Sequence, residues 1–316
     1  MPNQNNFFTN SLISVAIATY NGETFLRQQL DTVIAQTYKN IEIIISDDGS
    51  TDRTVEIIKS YVKQHTFIKI FENKNPIGIN KNFENAIKNC AGQYIALCDQ
   101  DDIWLPAKLE MLISKIGKSA LIYHNSLFVD MNGESLNKSI ADKMNCYSGS
   151  DPKVFLLLNC VSGHVCMFNK NLLQYAIPFP TVKFYDWWLA FVATQYGGIT
   201  YLDEILVHYR QHEMSKTDML ALKKSTKHKK EYIIYEEQLE WFKNCAEVAK
   251  TDKPFFKQWL KLYRNRKNQW FSFSLFLLTQ KNKRKLYNLK NKGEISKLFE
   301  SLKLLWGLKI KKILGS

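Results

Sequence analysis

The chain has 316 residues, 45% hydrophobic and 23% charged, with only 13 Gly and 7 Pro, which excludes disordered, collagen-like and low-complexity scaffolds. The length fits one large globular domain or one domain plus an appendage. The net charge of +13 is uneven: residues 1–212 hold 18 Lys+Arg against 20 Asp+Glu, and residues 213–316 hold 25 against 10. A basic last third suits a polyanionic partner, either nucleic acid or an acidic membrane surface. Six cysteines without a CxxC pair read as free thiols in a reducing compartment. No basic-plus-apolar leader precedes Asn10, and the longest apolar stretch, Trp270–Leu278, is far shorter than the roughly 20 residues that span a bilayer. The expectation is a cytoplasmic protein, neither exported by a signal peptide nor threaded through a membrane.

In chain order, Leu12–Thr19 is apolar and β-branched and ends at the turn signal Tyr20–Asn21–Gly22, which predicts a strand entering a loop. Thr24–Gln36 places Phe25, Leu26, Leu30, Val33 and Ile34 at helical spacing, and Ile41–Ser46 is a continuous apolar run of the kind buried in a parallel sheet. Asp47–Asp52 breaks that strand, with Ser50 or Thr51 able to cap a helix from about Arg53 to Gln64. A strand at Ile68–Glu72, a helix around Asn80–Asn89 and a strand at Tyr94–Cys98 continue the alternation. The fold class is α/β, with ligands expected at the carboxyl ends of the strands.

Carboxylates gather at those ends. Asp47 and Asp48 follow the second strand, and Asp99, Asp101 and Asp102 follow Tyr94–Cys98. Such stacked acids repel unless they hold a cation or hydrogen-bond donors. Asp-Asp-Gly-Ser alone also reads as an ordinary turn and cap. Asp-Gln-Asp-Asp lies between a buried strand and Ile103–Pro106 instead of on a solvated face, and the joint pattern favours a metal and phosphate site.

Ser14–Asn21 (SVAIATYN), Gln36–Glu42 (QTYKNIE), Ser46–Asp52 (SDDGSTD) and Asp99–Trp104 (DQDDIW), in this order, resemble the successive motifs of the family 2 inverting glycosyltransferases with a GT-A fold. Tyr185–Leu189 (YDWWL) and Tyr209–His212 (YRQH) further resemble the branch that includes rhamnosyltransferase-like enzymes of bacterial surface polysaccharide assembly. The resemblance covers roughly residues 12–215, with one departure: Tyr185 stands where the pattern has His. It implies a Rossmann-like GT-A sheet with helices on both faces. The catalytic domain would span 1–215, its donor half about 12–105 and its acceptor half about 106–215. A mainly helical basic region, 216–316, would follow.

The resemblance also implies roles. Thr19, Tyr20 and Asn21 would contact the nucleotide, with Asp48 accepting from the imide of uracil or thymine. Asp101 with Asp99 would hold Mn²⁺ or Mg²⁺ against the diphosphate, Arg210 would meet the diphosphate, and His212 would complete the metal shell. Asp186 would take the proton of the attacking hydroxyl. Trp187 and Trp188 would offer aromatic walls, and Ser162 and Gly163 would line the acceptor pocket. Read structurally, Asp186 also suits a cap for a helix over Trp187–Gln195, a role compatible with catalysis because a cap positions the side chain. The implied reaction moves a sugar from a UDP- or dTDP-sugar to a lipid-linked oligosaccharide in O-antigen or capsule synthesis.

Other chemistries lack their motifs. No GxGxxG follows a strand, Leu112 stands where the first Gly of a P-loop ending in Gly117–Lys118–Ser119 belongs, and neither HExxH nor Gly-x-Ser-x-Gly is present. The rival reading, a nucleotide sensor or nucleic-acid binder with a basic tail, has no recognisable nucleic-acid motif, so no nucleic-acid partner is expected.

In the last third, a Lys-dense run at Lys223–Lys230 precedes a helix over Tyr232–Lys243, and Pro254 separates it from a helix across Phe256–Leu278. Ile295–Leu314 gathers Ile295, Leu298, Phe299, Leu302, Leu305 and Trp306 on one face, with Lys297, Lys303, Lys309, Lys311 and Lys312 mostly elsewhere. Such a basic amphipathic helix either packs on the core or docks on the anionic inner face of the cytoplasmic membrane as a peripheral attachment.

Overall fold

A computed structural model describes residues 10–212, 231–291 and 293–309. Its strands are β1 (Ile13–Thr19), β2 (Ile41–Asp47), β3 (Ile68–Glu72), β4 (Tyr94–Cys98), β5 (Ile103–Trp104), β6 (Leu121–Val129), β7 (Ser135–Ser139), β8 (Cys166–Asn169) and β9 (Ile199–Arg210). Helices α1 (Leu26–Ile34), α2 (Thr54–Gln64), α3 (Ile79–Lys88) and α4 (Lys108–Lys115) alternate with the early strands. After them come α5 (Ile140–Lys143), α6 (Leu173–Ala176), α7 (Tyr185–Gln195), α8 (Glu231–Val248), α9 (Lys253–Asn265), α10 (Phe273–Leu286) and α11 (Glu294–Leu305). The early expectations match to within a residue or two, because β1, β2 and β4 are buried on both faces and so read as unbroken apolar runs. Helix α2 starts at Thr54, later than a Ser50 or Thr51 cap implies, since the Ser50 hydroxyl is spent on Asp47 and Asp52 accepts the Thr54 N–H.

The nine-stranded sheet runs β3-β2-β1-β4-β8-β6-β9-β5, with β7 beside β6. Strands β3, β2, β1 and β4 are parallel, whereas β8 lies antiparallel between β4 and β6. Alternation along β1 and β4 sends Ile13, Val15, Ile17 and Cys98 towards α1, α2 and α4, and Ala16, Ile95 and Leu97 towards α3 and α7. Sheet and helices thus form the GT-A-like three-layer arrangement expected from the sequence.

The C-terminal helices extend that second layer: Tyr235 and Trp241 of α8, Trp259 and Tyr263 of α9 and Leu275 of α10 share one core with Leu189 and Phe191 of α7. The continuous helix expected over Phe256–Leu278 is broken into α9 and α10. Between them Phe271 bridges to Trp306, Ser272 N–H donates to Leu305, and Gly307 N–H donates to the Trp270 carbonyl, which holds the chain extended. The Lys223–Lys230 run and the segment from Ile310 onward, with Lys311 and Lys312, lie outside the described residues.

Candidate active site

The topology brings scattered residues to one edge. Parallel β1, β2 and β4 end there, antiparallel β8 begins there, and the β5–β9 pairing (Ile103 with His208) returns Arg210 and His212 to the Asp101–Asp102 loop. A cavity of about 710 Å³ opens at this edge. Thr19, Tyr20, Asn21 and Asp48 lie on one side, and Ser162, Gly163, Asp186 and Trp187 on the other. Asp99, Asp101 and His212 also line it.

On the donor side the β1 and β2 loops are laced together. Asp47 accepts from the Thr19 hydroxyl at 2.7 Å and from Ser50 through both its N–H and its hydroxyl. Asn21, at a positive φ of 47°, accepts the Thr51 N–H and donates its own N–H to Ser50. Asp48 is buried and accepts from the N–H groups of Ile77 (2.7 Å) and Gly78 (2.9 Å) and from Asn73. Gly78 sits at φ 86°, which aims its N–H at Asp48 without the strain a side chain would bring. Tyr20 stands exposed at the rim, clasped through its N–H and carbonyl by the amide of Gln100. Gln100 was not singled out from the sequence, because an amide between two acids carries no motif signal.

The acidic floor lies opposite. Desolvation, then the charges of Asp101 and Asp186, push the Asp99 carboxyl up to about 7, even though its side chain keeps 30% exposure. Asp102 lies beneath, 1% exposed, with one oxygen on the Arg210 N–H and the other, Oδ2, without a partner; burial and its acidic neighbours raise it strongly. His212 Nε2 meets Asp101 Oδ2 at 2.8 Å. Asp99, Asp102 and His164 offer ligand atoms all within 4.8 Å of one another. Carboxyls raised first by burial and then by neighbouring charges, beside an orphaned buried oxygen and a neutral His164, are a donor set that fits a hard divalent cation. The expected pairing of Asp101 with His212 is brought together, while Asp99 gathers with His164 and Asp102. Only Asp101, His212, Asp99 and His164 of these face the cavity.

Asp186 is the second residue of α7, and Phe184 occupies the cap position, so the expectation that Asp186 caps this helix fails. Its Oδ1 accepts the Trp187 N–H at 2.5 Å and the Asn159 amide at 3.4 Å, and its Oδ2 accepts the Gly163 N–H at 3.1 Å. Desolvation outweighs these bonds and lifts the carboxyl from 3.8 to about 7. Tyr185 fills the place where the family pattern has His. Its hydroxyl reaches Asp99 Oδ1 at 3.4 Å, and its ring lies so close to Gly163 that a Cβ there would collide with it. Gly163 therefore serves twice, as the seat of Tyr185 and as a donor to Asp186.

Two expected residues point elsewhere. Arg210 is 2% exposed and does not line the cavity. Its guanidinium donates to the carbonyls of Asp101, Asp130 and Met131 and to Gln28, leaving it a brace for three loops instead of a diphosphate ligand. Trp188 is buried against Trp241 and Phe191, with its indole N–H on the Ala176 carbonyl, because it occupies the core face of α7. Trp187 is the indole that faces the cavity, its N–H on the Phe155 carbonyl and Lys183 over its ring. One residue passed over in the sequence lies under the floor: fully buried Lys108, donating to the His164 carbonyl at 2.6 Å and lying 3.3 Å from the Trp104 ring centre, its ammonium drawn down to about 7 by burial.

The mixed sheet with an aspartate-lined cleft at its strand ends is a GT-A-like architecture. The model of the Glycosyl transferase family 2 matches residues 14–175, and the chain belongs to that family. An uncharacterised glycosyltransferase of Rickettsia typhi is 29% identical over 216 residues, 66% of each chain, so the match spans just under two thirds of that relative's length. The Escherichia coli protein WfgD, named a UDP-Glc:alpha-D-GlcNAc-diphosphoundecaprenol beta-1,3-glucosyltransferase, is 30% identical over 179 residues, 56% of this chain and 68% of that one. Among solved structures, S. aureus TarS in complex with UDP-GlcNAc superposes with a TM-score of 0.57 at 19% identity, covering 93% of this chain and 81% of that one, a likeness of fold.

Proposed function

We propose that the chain transfers a single sugar, hexosyl or rhamnosyl, with inversion from a UDP- or dTDP-sugar to a hydroxyl of a lipid-linked oligosaccharide. The setting would be O-antigen or capsule assembly, at the inner face of the cytoplasmic membrane. The observation that carries this reading is Asp186, lifted to about 7 in the same cleft as the acidic floor and hydrogen-bonded to the Gly163 backbone. A base with that affinity for a proton is matched to neutral pH. In the reaction the acceptor oxygen forms its bond to the anomeric carbon as the bond to the diphosphate breaks, and the hydroxyl proton passes to Asp186. Its Oδ2 retains a lone pair beyond the Gly163 bond.

The remaining roles follow from placement. Exposed Tyr20 would stack on the base, and Asp48, already fixed by two N–H donors, would accept from the imide with its remaining lone pairs. Asp101, His212 and Asp99 would hold Mn²⁺ or Mg²⁺, whose charge would offset the departing diphosphate. Trp187 would present a face to the acceptor sugar, with Ser162 beside it. The 1–215 segment would be the catalytic unit and 216–316 its basic extension. The WfgD likeness supports a lipid-linked acceptor. The test is turnover of a panel of UDP- and dTDP-sugars with a polyprenyl-diphosphate saccharide, with and without Mn²⁺. Absence of any glycosylated lipid across the panel would refute the reading.

A further inference from the structure

Helix α11 is amphipathic the wrong way round. It buries Ser301 completely and exposes Ile295 (73%), Leu298 (45%) and Phe299 (63%). Helix α10 does the same on its outer stripe, where Phe273 and Leu277 are exposed and are followed, at helical spacing, by exposed Lys281 and Arg284. A ring cluster links the start of α10 to the end of α11, with Phe271 5.7 Å from Phe273 and 5.5 Å from Trp306, and Trp270 is exposed as well. So many large apolar side chains exposed on two packed helices are rare on a free monomer and mark a place that something covers.

We infer that the outer face of the α10–α11 hairpin lies in the interface of an anionic lipid bilayer. The occupant follows from charge. Between Trp270 and Ser316 the chain carries eleven Lys+Arg and two Glu. A second copy of this basic segment would set like charge against like charge, whereas anionic headgroups complement it while the acyl boundary takes the apolar stripe. Tryptophans at the edge of the patch suit the headgroup level, and Lys281 and Arg284 can extend their stems to the phosphates. The hairpin is also tied to the cleft. Asn145, next to the cavity residue Met144, donates its N–H and its side-chain amide to the carbonyls of Leu289 and Asn288, and Lys285 pairs with Asp151. A bilayer bound there would therefore lie at a fixed offset from the acceptor side of the site. This placement rests on the lipid-linked acceptor proposed above.

Truncating α11 is a poor test, because buried Arg266 donates to the carbonyls of Trp306 and Lys303 and would be orphaned. The full chain should instead carry Leu298→Ser with Phe299→Ser, two exposed positions outside the core. In flotation with vesicles of equal parts phosphatidylglycerol and phosphatidylcholine, wild type should bind, release in high salt, and not bind pure phosphatidylcholine. The double variant should bind at least about tenfold more weakly. Its melting temperature and its turnover of nucleotide sugar in water should not change. Lys281→Glu with Arg284→Glu should weaken binding to the anionic vesicles alone. Equal flotation of wild type and the apolar variant, or failure of wild type to bind anionic vesicles, would overturn the inference. So would a dimer in light scattering that the apolar variant dissolves. Flotation is read without catalysis, so vesicle binding with no sugar transfer would sink the proposed function and leave this surface standing.

Discussion

Replacing Asp186 by Asn should separate activity from stability in opposite directions. The carboxyl rises from 3.8 to about 7 in the folded protein, so the native state binds its proton more tightly than the unfolded chain does. The resulting destabilisation is absent below pH 3.8, grows as pH rises, and is complete above about 7. Its full size is on the order of 4 kcal/mol, at about 1.4 kcal/mol per pH unit. Asn abolishes that penalty but turns an N–H₂ towards either Gly163 or Trp187, both donors, which leaves one buried N–H unsatisfied at a cost of about 1–3 kcal/mol. The net expectation at pH 8 is a variant more stable than wild type by roughly 1–3 kcal/mol, about 2–5 °C in melting temperature for a chain of this length. Below pH 5 the order should reverse. Transfer should fall by roughly 10² to 10⁴-fold while donor binding persists. Melts at pH 5 and 8, beside radiolabelled sugar transfer, measure both. A variant that transfers at the wild-type rate, or that melts lower at pH 8 than wild type by more than at pH 5, would refute the reasoning.

Wild-type kcat/KM should rise with pH through about 7 as Asp186 loses its proton and then level off; a rate flat from pH 5 to 8 would exclude it as the base. Asp101→Ala removes the carboxylate that meets His212 at 2.8 Å, and calorimetry should show loss of Mn²⁺-dependent donor affinity; unchanged affinity would remove Asp101 from the metal site. Arg210→Ala should destabilise the fold by about 1–3 kcal/mol, read as a lower melting temperature, as its part-buried carbonyl partners lose their donor, without a selective rise in donor KM. A stable variant with a weakened donor site would restore Arg210 as a diphosphate ligand. Gly163→Ala forces Tyr185 off its seat and should cost about 1–3 kcal/mol and disturb both Asp99 and Asp186; crystals showing Tyr185 unmoved would contradict this account.

The sequence alone determined the parallel half of the sheet, β1 to β4, and the identity of its acidic ends. β1, β2 and β4 are buried on both faces, so their composition needs no partner to be read, and Asp99, Asp101 and Asp186 stand at element boundaries where periodicity breaks. What a side chain does at such a boundary depends on which way it leaves the backbone, and that was decided by tertiary packing. Arg210 and His212 are two residues apart in one segment, yet one faces loop carbonyls and the other the cleft, because β9 ends at Arg210 and the chain leaves the sheet before His212, where strand alternation no longer sets its direction. Trp187 and Trp188 divide in the same way between cavity and core across the face of α7. Lys108 carried no sequence signal, and His164 was legible only as part of the Ser162–His164 stretch of the acceptor pocket, since both reach the floor only when β8 runs antiparallel beside β4. The α10–α11 hairpin shows the same limit. The amphipathic stripe is written in the sequence, but whether it faces the core or the solvent is set by Ser301 and Arg266, which fix the other side of α11 against the protein.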